Sequence, residues 1–130
     1  MSESSEAEEK EVCIVDDDPS VLKSMHYLLA SEGLKVRPFS KAKDFLAHAA
    51  SHHVPVVVTD IWMDNVTGLE LLARLCAISP KTKVIVVTAR EDSAARATAT
   101  AIGPVAFLIK PFDDEKFLAA VGDALSQSKK

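Results

Sequence analysis

The sequence predicts a doubly wound α/β domain, in which helices cover both faces of a parallel sheet. Short runs of consecutive apolar residues recur along the chain, and such runs are typical of strands that are buried on both faces. Segments between these runs carry apolar residues at helical spacing. The chain has 130 residues, 48% of them hydrophobic, which is enough for one domain with a buried core.

Five apolar runs are predicted as the strands. The four strong runs are 12–15, 56–59, 84–87 and 107–109, and the polar residues that follow them are Asp16, Asp60, Thr88 and Lys110. The weaker run, 35–37, alternates polar and apolar residues, so we expect it at an edge of the sheet.

Amphipathic segments between the strands are predicted as helices. Their apolar positions are Val21, Leu22, Met25, Leu28 and Leu29, then Ala42, Phe45, Leu46 and Ala49, then Leu69, Leu72, Leu75 and Cys76, and finally Phe117, Leu118, Val121 and Leu125. The stretch 93–102 is mostly Ala and Thr, and we expect it to be the loosest helix because it has little to bury. The alternation predicts five βα units with right-handed connections.

Composition limits the classes of function. Residues 1–10 are Ser- and Glu-rich and are predicted to be a disordered acidic tail, with the folded domain at 11–126 and a C-terminal tail at 127–130. No apolar run is long enough to span a membrane and no signal peptide is evident, so a cytoplasmic location without membrane contact is expected. The net charge of −4 argues against direct binding of nucleic acid. Cys13 and Cys76 form no metal motif and are interpreted as small buried core residues.

The polar residues at the strand ends predict the functional site. Open α/β sheets bind ligands beyond the carboxyl ends of their strands, where the strand order reverses. We predict a flavodoxin-like doubly wound (βα)5 three-layer sandwich with strand order 2-1-3-4-5. In that order the first and third strands are neighbours, so Asp16 and Asp17 are expected beside Asp60.

The residue types at this edge favour phosphoryl transfer. Crowded carboxylates repel one another, and a divalent cation removes the conflict. Oxygen ligands favour Mg²⁺, with Mn²⁺ as a substitute. Lys110 adds a point charge and Thr88 a hydroxyl donor, so a carboxylate nucleophile, a metal and a lysine are expected to act on a phosphoryl group.

Several tracts in order resemble a known family. They are Val15-Asp16-Asp17-Asp18-Pro19, Thr59-Asp60-Ile61-Trp62-Met63, Gly68, Thr88-Ala89 and Phe107-Leu108-Ile109-Lys110-Pro111-Phe112. With these tracts the chain resembles the receiver domain of two-component response regulators, of the type often joined to a helix-turn-helix output domain. The resemblance implies a signalling module that catalyses only its own phosphorylation and autodephosphorylation.

The resemblance also implies the residues of a metal-dependent phosphoacceptor. Asp60 matches the aspartate that is phosphorylated, and Asp17 matches the direct Mg²⁺ ligand. Asp16 is its partner in the acidic pair, and the backbone carbonyl of Trp62 is implied as a third protein ligand. The phosphoryl group is implied to come from the phosphohistidine of a sensor histidine kinase or a phosphotransfer protein.

Further positions match the family's switch. Thr88 and Lys110 match the hydroxyl and the lysine that sense the phosphoryl group, and Phe107 matches the aromatic residue that moves inward. Ala89 is implied to leave an opening beside the acceptor, and the bond to Pro111 is implied to be cis. A phosphorylated homodimer through the fourth helix, fifth strand and fifth helix is a further implication.

Two positions depart from the family pattern. Asp64 stands where proline is usual, and Pro104 stands where a small residue is usual. The first is expected to make the loop after the acceptor less rigid, and the second to alter the approach to the last strand.

Alternative functions remain open at this point. Asp16, Asp18 and Ser20 also resemble the motif of haloacid-dehalogenase-like phosphatases, in which Asp16 would be the nucleophile. Against this, Pro19 favours Asp18 as a helix N-cap. A degenerate receiver that only binds partners is a third reading. Both a stand-alone receiver and one joined to an output domain agree with the short polar segment after the last predicted helix.

Overall fold

The computed structural model describes residues 11–61, 67–88, 93–102, 105–110 and 112–128. The strands are β1 (Glu11–Val15), β2 (Lys35–Phe39), β3 (Val56–Asp60), β4 (Lys83–Thr88) and β5 (Val105–Ile109). The helices are α1 (Pro19–Ser31), α2 (Ala42–Ser51), α3 (Gly68–Ile78), α4 (Ser93–Ile102) and α5 (Asp114–Ser128). All strands pair in parallel in the order β2-β1-β3-β4-β5. The predicted fold class and strand order are confirmed.

The two faces of the sheet bury separate cores, because successive strand residues point to opposite faces. On one face, Cys13, Val15, Val57, Val84 and Val86 pack with apolar residues of α2, α3 and α4, including the fully buried Phe45. On the other face, Val12, Ile14, Val56, Val58, Ile85 and Val87 pack with α1 and α5, including the fully buried Phe117. The central strands are therefore apolar at consecutive positions because both of their faces are buried, as the sequence predicted.

The helix start beside the first strand is fixed by its capping residues. Pro19 occupies the first turn of α1, and the side chain of Asp18 accepts a 2.9 Å hydrogen bond from the backbone N–H of Ser20. The N-cap role predicted for Asp18 is confirmed. Gly33, with φ of 79°, ends α1 in the left-handed conformation that glycine tolerates best.

Strand β2 lies at the sheet edge, as predicted, and is two residues longer than the predicted run. Pro38 removes a backbone donor from this edge. Arg37 reaches across to the buried Glu11, with Nε 2.8 Å from a carboxylate oxygen.

The two cysteines differ in their burial. Burial raises the pKa of Cys13 to about 12, so this thiol is an inert core group as expected. Cys76 packs against the core as expected, but the expectation of full burial is wrong for it: it is half-buried, with its Sγ 3.9 Å from the carbonyl oxygen of Ile102. Helix α5 continues to Ser128, past the start of the predicted C-terminal tail.

In the described part of the chain, no helix has the length and apolarity needed to cross a membrane.

Candidate functional site

The strand register brings the predicted site residues to one edge of the sheet. Val15 pairs with Thr59, Asp60 with Val87, and Thr88 with Ile109, so β1, β3, β4 and β5 end side by side. Asp16 and Lys110 directly follow two of these ends, while Asp60 and Thr88 are the last residues of the other two.

Lys110 lies between two carboxylates. Its Nζ is 3.7 Å from Oδ2 of Asp60 and 3.8 Å from Oδ2 of Asp16. The Lys110 side chain is 26% exposed, that of Asp60 13% and that of Asp16 1%, so Asp60 is the more accessible of the two acids. The backbone N–H of Lys110 donates a 2.7 Å hydrogen bond to the carbonyl oxygen of Thr88. This bond fixes the base of the lysine at the end of β4.

Asp16 is a buried carboxylate with one satisfied oxygen. Its Oδ1 accepts a 2.9 Å hydrogen bond from the backbone N–H of Asp18. Its Oδ2 is buried and has no hydrogen-bond partner among the described residues. Burial raises the pKa of Asp16 above its ordinary value, and the nearby negative charges of Asp60 and Asp17 raise the pKa further. The hydrogen bond from Asp18 and the positive charge of Lys110 act in the opposite direction and lower the pKa. A buried anionic oxygen in this state suits a bound cation.

The donor set agrees with a magnesium site that is completed by solvent. Asp16 and Asp60 share Lys110, and Asp17 is exposed next to Asp16. No group of three or more His, Cys, Asp and Glu side chains in the described ranges is close enough to hold a metal ion unaided. Mg²⁺ uses one or two carboxylates and keeps several waters or phosphate oxygens, so such a closed group is not required. The Oδ2 of Asp16, which has the charge of Lys110 3.8 Å away but no hydrogen bond, and the oxygen-only donors fit this ion.

Gly68 packs directly against the backbone of the predicted acceptor. Its N–H donates a 2.8 Å hydrogen bond to the carbonyl oxygen of Ile61. A Cβ atom at this position would clash with the carbonyl oxygen of Asp60 and lie 2.7 Å from Cα of Ile61. Gly68 is one of the residues that carry the family resemblance, and it is the first residue of α3. Glycine is therefore required here because the backbone of Gly68 contacts the backbone of Asp60 and Ile61. Sequence spacing alone does not reveal this contact.

Thr88 and Phe107 lie on the same face of the sheet. Phe107 pairs with Val86 and Thr88 with Ile109, two positions further along both strands. Thr88 is 3% exposed, whereas Phe107 is half-buried against the core between the sheet and α2, α3 and α4. The guanidinium carbon of Arg96 lies 5.1 Å from the centre of the Phe107 ring. No role is predicted for Arg96 from the sequence, because nothing in the local pattern of α4 signals a contact with β5.

Trp62, Ala89 and Pro111 lie outside the described residues, as do the departures at Asp64 and Pro104. The predictions for these five positions therefore stay predictions, as does the predicted acidic tail at 1–10.

Comparison with known families identifies this arrangement. Residues 12–122 match the family described as "Response regulator receiver domain". The chain belongs to the response regulator receiver domain family. The sequence-based prediction of a receiver domain is confirmed, and this domain is the signalling module of a two-component response regulator.

The chain is similar to a transcriptional regulatory protein and to solved receiver domains. The transcriptional regulatory protein FixJ of Azorhizobium caulinodans is 38% identical over 117 residues, which cover 90% of this chain and 56% of FixJ. The chain thus spans about half the length of that relative. A CheY-like receiver domain protein of Methanospirillum hungatei has a TM-score of 0.88 at 27% identity, over 92% of this chain and 96% of that one. The beryllofluoride-activated NtrC4 receiver domain dimer has a TM-score of 0.85 at 28% identity, over 92% and 98%.

Membership of the receiver domain family bears on the alternatives. Receiver domains generally bind Mg²⁺ at the phosphorylation site and interact with kinases. The phosphatase alternative, with Asp16 as nucleophile, finds no support in these comparisons. The exposed Asp18 caps α1, which accounts for the second aspartate of the phosphatase-like motif.

Proposed function

We propose that this receiver domain accepts a phosphoryl group on Asp60 in a Mg²⁺-dependent reaction. The donor is the phosphohistidine of a sensor histidine kinase or of a phosphotransfer protein. The observation that carries the proposal is the 3.7 Å approach of Lys110 Nζ to the Asp60 carboxylate, at the mouth of a site whose other acid is buried. Of the two carboxylates that contact Lys110, Asp60 is the one that a donor can reach, because its side chain is 13% exposed and that of Asp16 is 1% exposed.

The chemistry requires little from the protein beyond position and charge. A carboxylate oxygen of Asp60 bonds to phosphorus while the P–N bond of the donor breaks, and the bonding pair returns to the imidazole. Lys110, held at its backbone by Thr88, neutralises charge on the phosphoryl oxygens. The same residues assist the attack of water that removes the phosphoryl group, so the domain catalyses its own dephosphorylation.

Asp16, Asp17, Asp60 and the backbone carbonyl of Trp62 are the groups that would hold Mg²⁺, with Mn²⁺ as a substitute. The ion supplies charge neutralisation for the acidic cluster and for the phosphoryl oxygens. The buried, unsatisfied Oδ2 of Asp16 supports this assignment, since an anionic oxygen without a hydrogen bond is costly. Asp16 is the buried carboxylate of this set, and Asp17 is an exposed one.

The proposed response to phosphorylation involves Thr88 and Phe107. The Thr88 hydroxyl binds the phosphoryl group and moves towards it, which opens space on its face of the sheet for the Phe107 ring. This movement alters the surface formed by α4, β5 and α5. A homodimer through that surface is part of the proposal, and the existence of an activated dimer of the similar NtrC4 receiver domain supports it.

The proposed output is regulation of transcription through another part of a longer protein. The similarity to FixJ, of which this chain matches 56%, supports this role. The net charge of −4 disfavours nucleic-acid binding by the receiver domain itself. A cytoplasmic location belongs to the same proposal, and the free thiols of Cys13 and Cys76 are consistent with a reducing compartment.

The test is labelling by a small phosphodonor. Acetyl phosphate and Mg²⁺ are expected to give hydroxylamine-sensitive phosphorylation of the wild type that chelation of the metal abolishes. Asp60→Asn is expected to give none, because an amide is not a nucleophile. Asp123→Asn removes an exposed carboxylate of α5 and serves as the matched control with normal labelling. Stoichiometric labelling of Asp60→Asn would refute the assignment.

A further inference from the structure

The outer face of Phe107 is covered by a cation. The guanidinium carbon of Arg96, an exposed residue of α4, lies 5.1 Å from the centre of the Phe107 ring on β5. This distance is within the range of a cation–π interaction, in which the positive charge is attracted to the face of the ring. The two residues belong to different elements, so the contact ties α4 to β5 at the surface.

The contact lies two residues along β5 from the strand end at the acidic site. Lys110 joins the Asp60 carboxylate to the backbone of Thr88, and Thr88 shares a sheet face with Phe107. Phe107 packs inward against the core and outward against Arg96. Movement of the ring towards Thr88 would therefore separate it from the guanidinium.

We propose that Arg96 is a positioning residue that holds Phe107 at the surface and so opposes the change induced by phosphorylation. The inference rests on the proposed switch role of Phe107 and adds a restraint to it. A contact made in only one of two states shifts their equilibrium towards that state. Arg96 makes this contact in the surface state, so it favours the unphosphorylated form.

A cleft beside the pair explains why the restraint is needed. Arg96 and Phe107 line a cavity of about 290 Å³ together with Asp113 and Lys116 at the start of α5. Because the surface side of the ring borders open space, shape alone does not hold it there.

The experiment compares wild type, Arg96→Ala and Arg74→Ala, using the full chain. Arg74 is an exposed arginine of α3 and is the matched control for loss of a surface charge. NMR spectra with labelled phenylalanine rings follow the Phe107 signal, which is identified by its absence in Phe107→Leu. Without metal or phosphoryl analogue, Arg96→Ala is expected to raise the ratio of inward to surface ring about two- to fivefold. The apparent affinity for beryllofluoride in Mg²⁺ is expected to rise because the same equilibrium is linked to binding.

The outcomes separate the restraint from the proposed function. If wild type shows no response to beryllofluoride, the phosphoacceptor function itself fails. If wild type responds and Arg96→Ala behaves like wild type or like Arg74→Ala, only the restraint is overturned. The restraint also fails if Arg96→Ala changes beryllofluoride affinity equally in the Phe107→Leu background, because the effect then does not pass through the ring.

Discussion

The backbone N–H of Gly68 donates a 2.8 Å hydrogen bond to the carbonyl oxygen of Ile61, so the first residue of α3 is joined to the chain just after the predicted acceptor. The contact leaves no room for a side chain, because a Cβ atom on Gly68 would clash with the carbonyl oxygen of Asp60. The position of Asp60 therefore depends on a glycine that carries no chemical group of its own. Thr67 stabilises the same helix start, where its hydroxyl accepts a 3.1 Å hydrogen bond from the backbone N–H of Glu70.

Gly68→Ala is expected to lower the free energy of unfolding by about 1–3 kcal/mol, because the new methyl group has to displace backbone. It is also expected to slow phosphorylation, since Asp60 shifts with its carbonyl. Gly122→Ala is the matched control, because a Cβ atom there meets nothing within 4 Å. That variant is expected to be more stable by about 0.5–1 kcal/mol, since alanine favours a helix. Urea unfolding measures both changes, and equal effects of the two substitutions would contradict the account.

Asp16→Asn is expected to stabilise the metal-free protein while it weakens the metal site. Burial raises the pKa of Asp16, so its stabilising contribution is present at low pH and is lost as pH rises through the folded-state pKa. The buried carboxylate therefore opposes folding above that pKa, and a neutral amide of the same shape is expected to raise the free energy of unfolding at neutral pH by on the order of 1 kcal/mol, the lower end of the cost of burying a polar group without a hydrogen bond.

Urea unfolding at neutral pH with a chelator checks this gain, and the same measurement with Mg²⁺ checks the loss. Added Mg²⁺ is expected to stabilise wild type more than Asp16→Asn, because the ion binds the folded wild type more tightly. Asp123→Asn controls for loss of a carboxylate at the surface. A variant that is less stable than wild type in chelator would show that the Asp16 charge is well compensated without an ion.

His48 is expected to make stability depend on pH in the mildly acidic range. Its ring stacks on that of His52 at 4.3 Å, and its Nε2 is buried without a hydrogen-bond partner among the described residues. Burial lowers the pKa of His48 below 6.5, the charges of His52 and Arg37 lower it further, and Glu11 opposes them. The unfolded chain then binds the proton more readily, so the free energy of unfolding falls as pH drops below 6.5.

His48→Phe is expected to remove this part of the pH dependence, because phenylalanine preserves the ring contacts without a titrating group. The exposed His53, changed to Gln, is the control. Denaturant unfolding at several pH values gives the slopes, and an NMR titration gives the pKa of His48 directly. A measured pKa above 6.5, or a wild-type slope in His48→Phe, would disprove the explanation.

The sequence allowed prediction of those site residues whose proximity follows from the order of the strands. Apolar runs such as 56–59 predict parallel strands, and parallel strands bring their carboxyl ends to one edge, so the approach of Asp60, Asp16 and Lys110 was predictable. The contact of Arg96 with Phe107 was not predictable, because it depends on how α4 is rotated and inclined against the sheet.

The half-buried state of Cys76 was not predictable for a related reason. Cys76 continues the apolar pattern of α3 and packs against the core, but it is only partly covered there and lies near the carbonyl of Ile102 at the end of α4. Periodicity identifies the apolar side of a helix and does not say how closely a neighbouring helix covers the margin of that side.

The most direct test of the central claim is to map the acyl phosphate to a residue. The wild-type chain is phosphorylated with acetyl phosphate in Mg²⁺, the acyl phosphate is reduced with borohydride, and peptides are sequenced by tandem mass spectrometry. The account predicts conversion of Asp60 to homoserine, with Asp16 and Asp17 unmodified. Modification of Asp16 in place of Asp60 would contradict it, as would the absence of any modified aspartate in a folded protein.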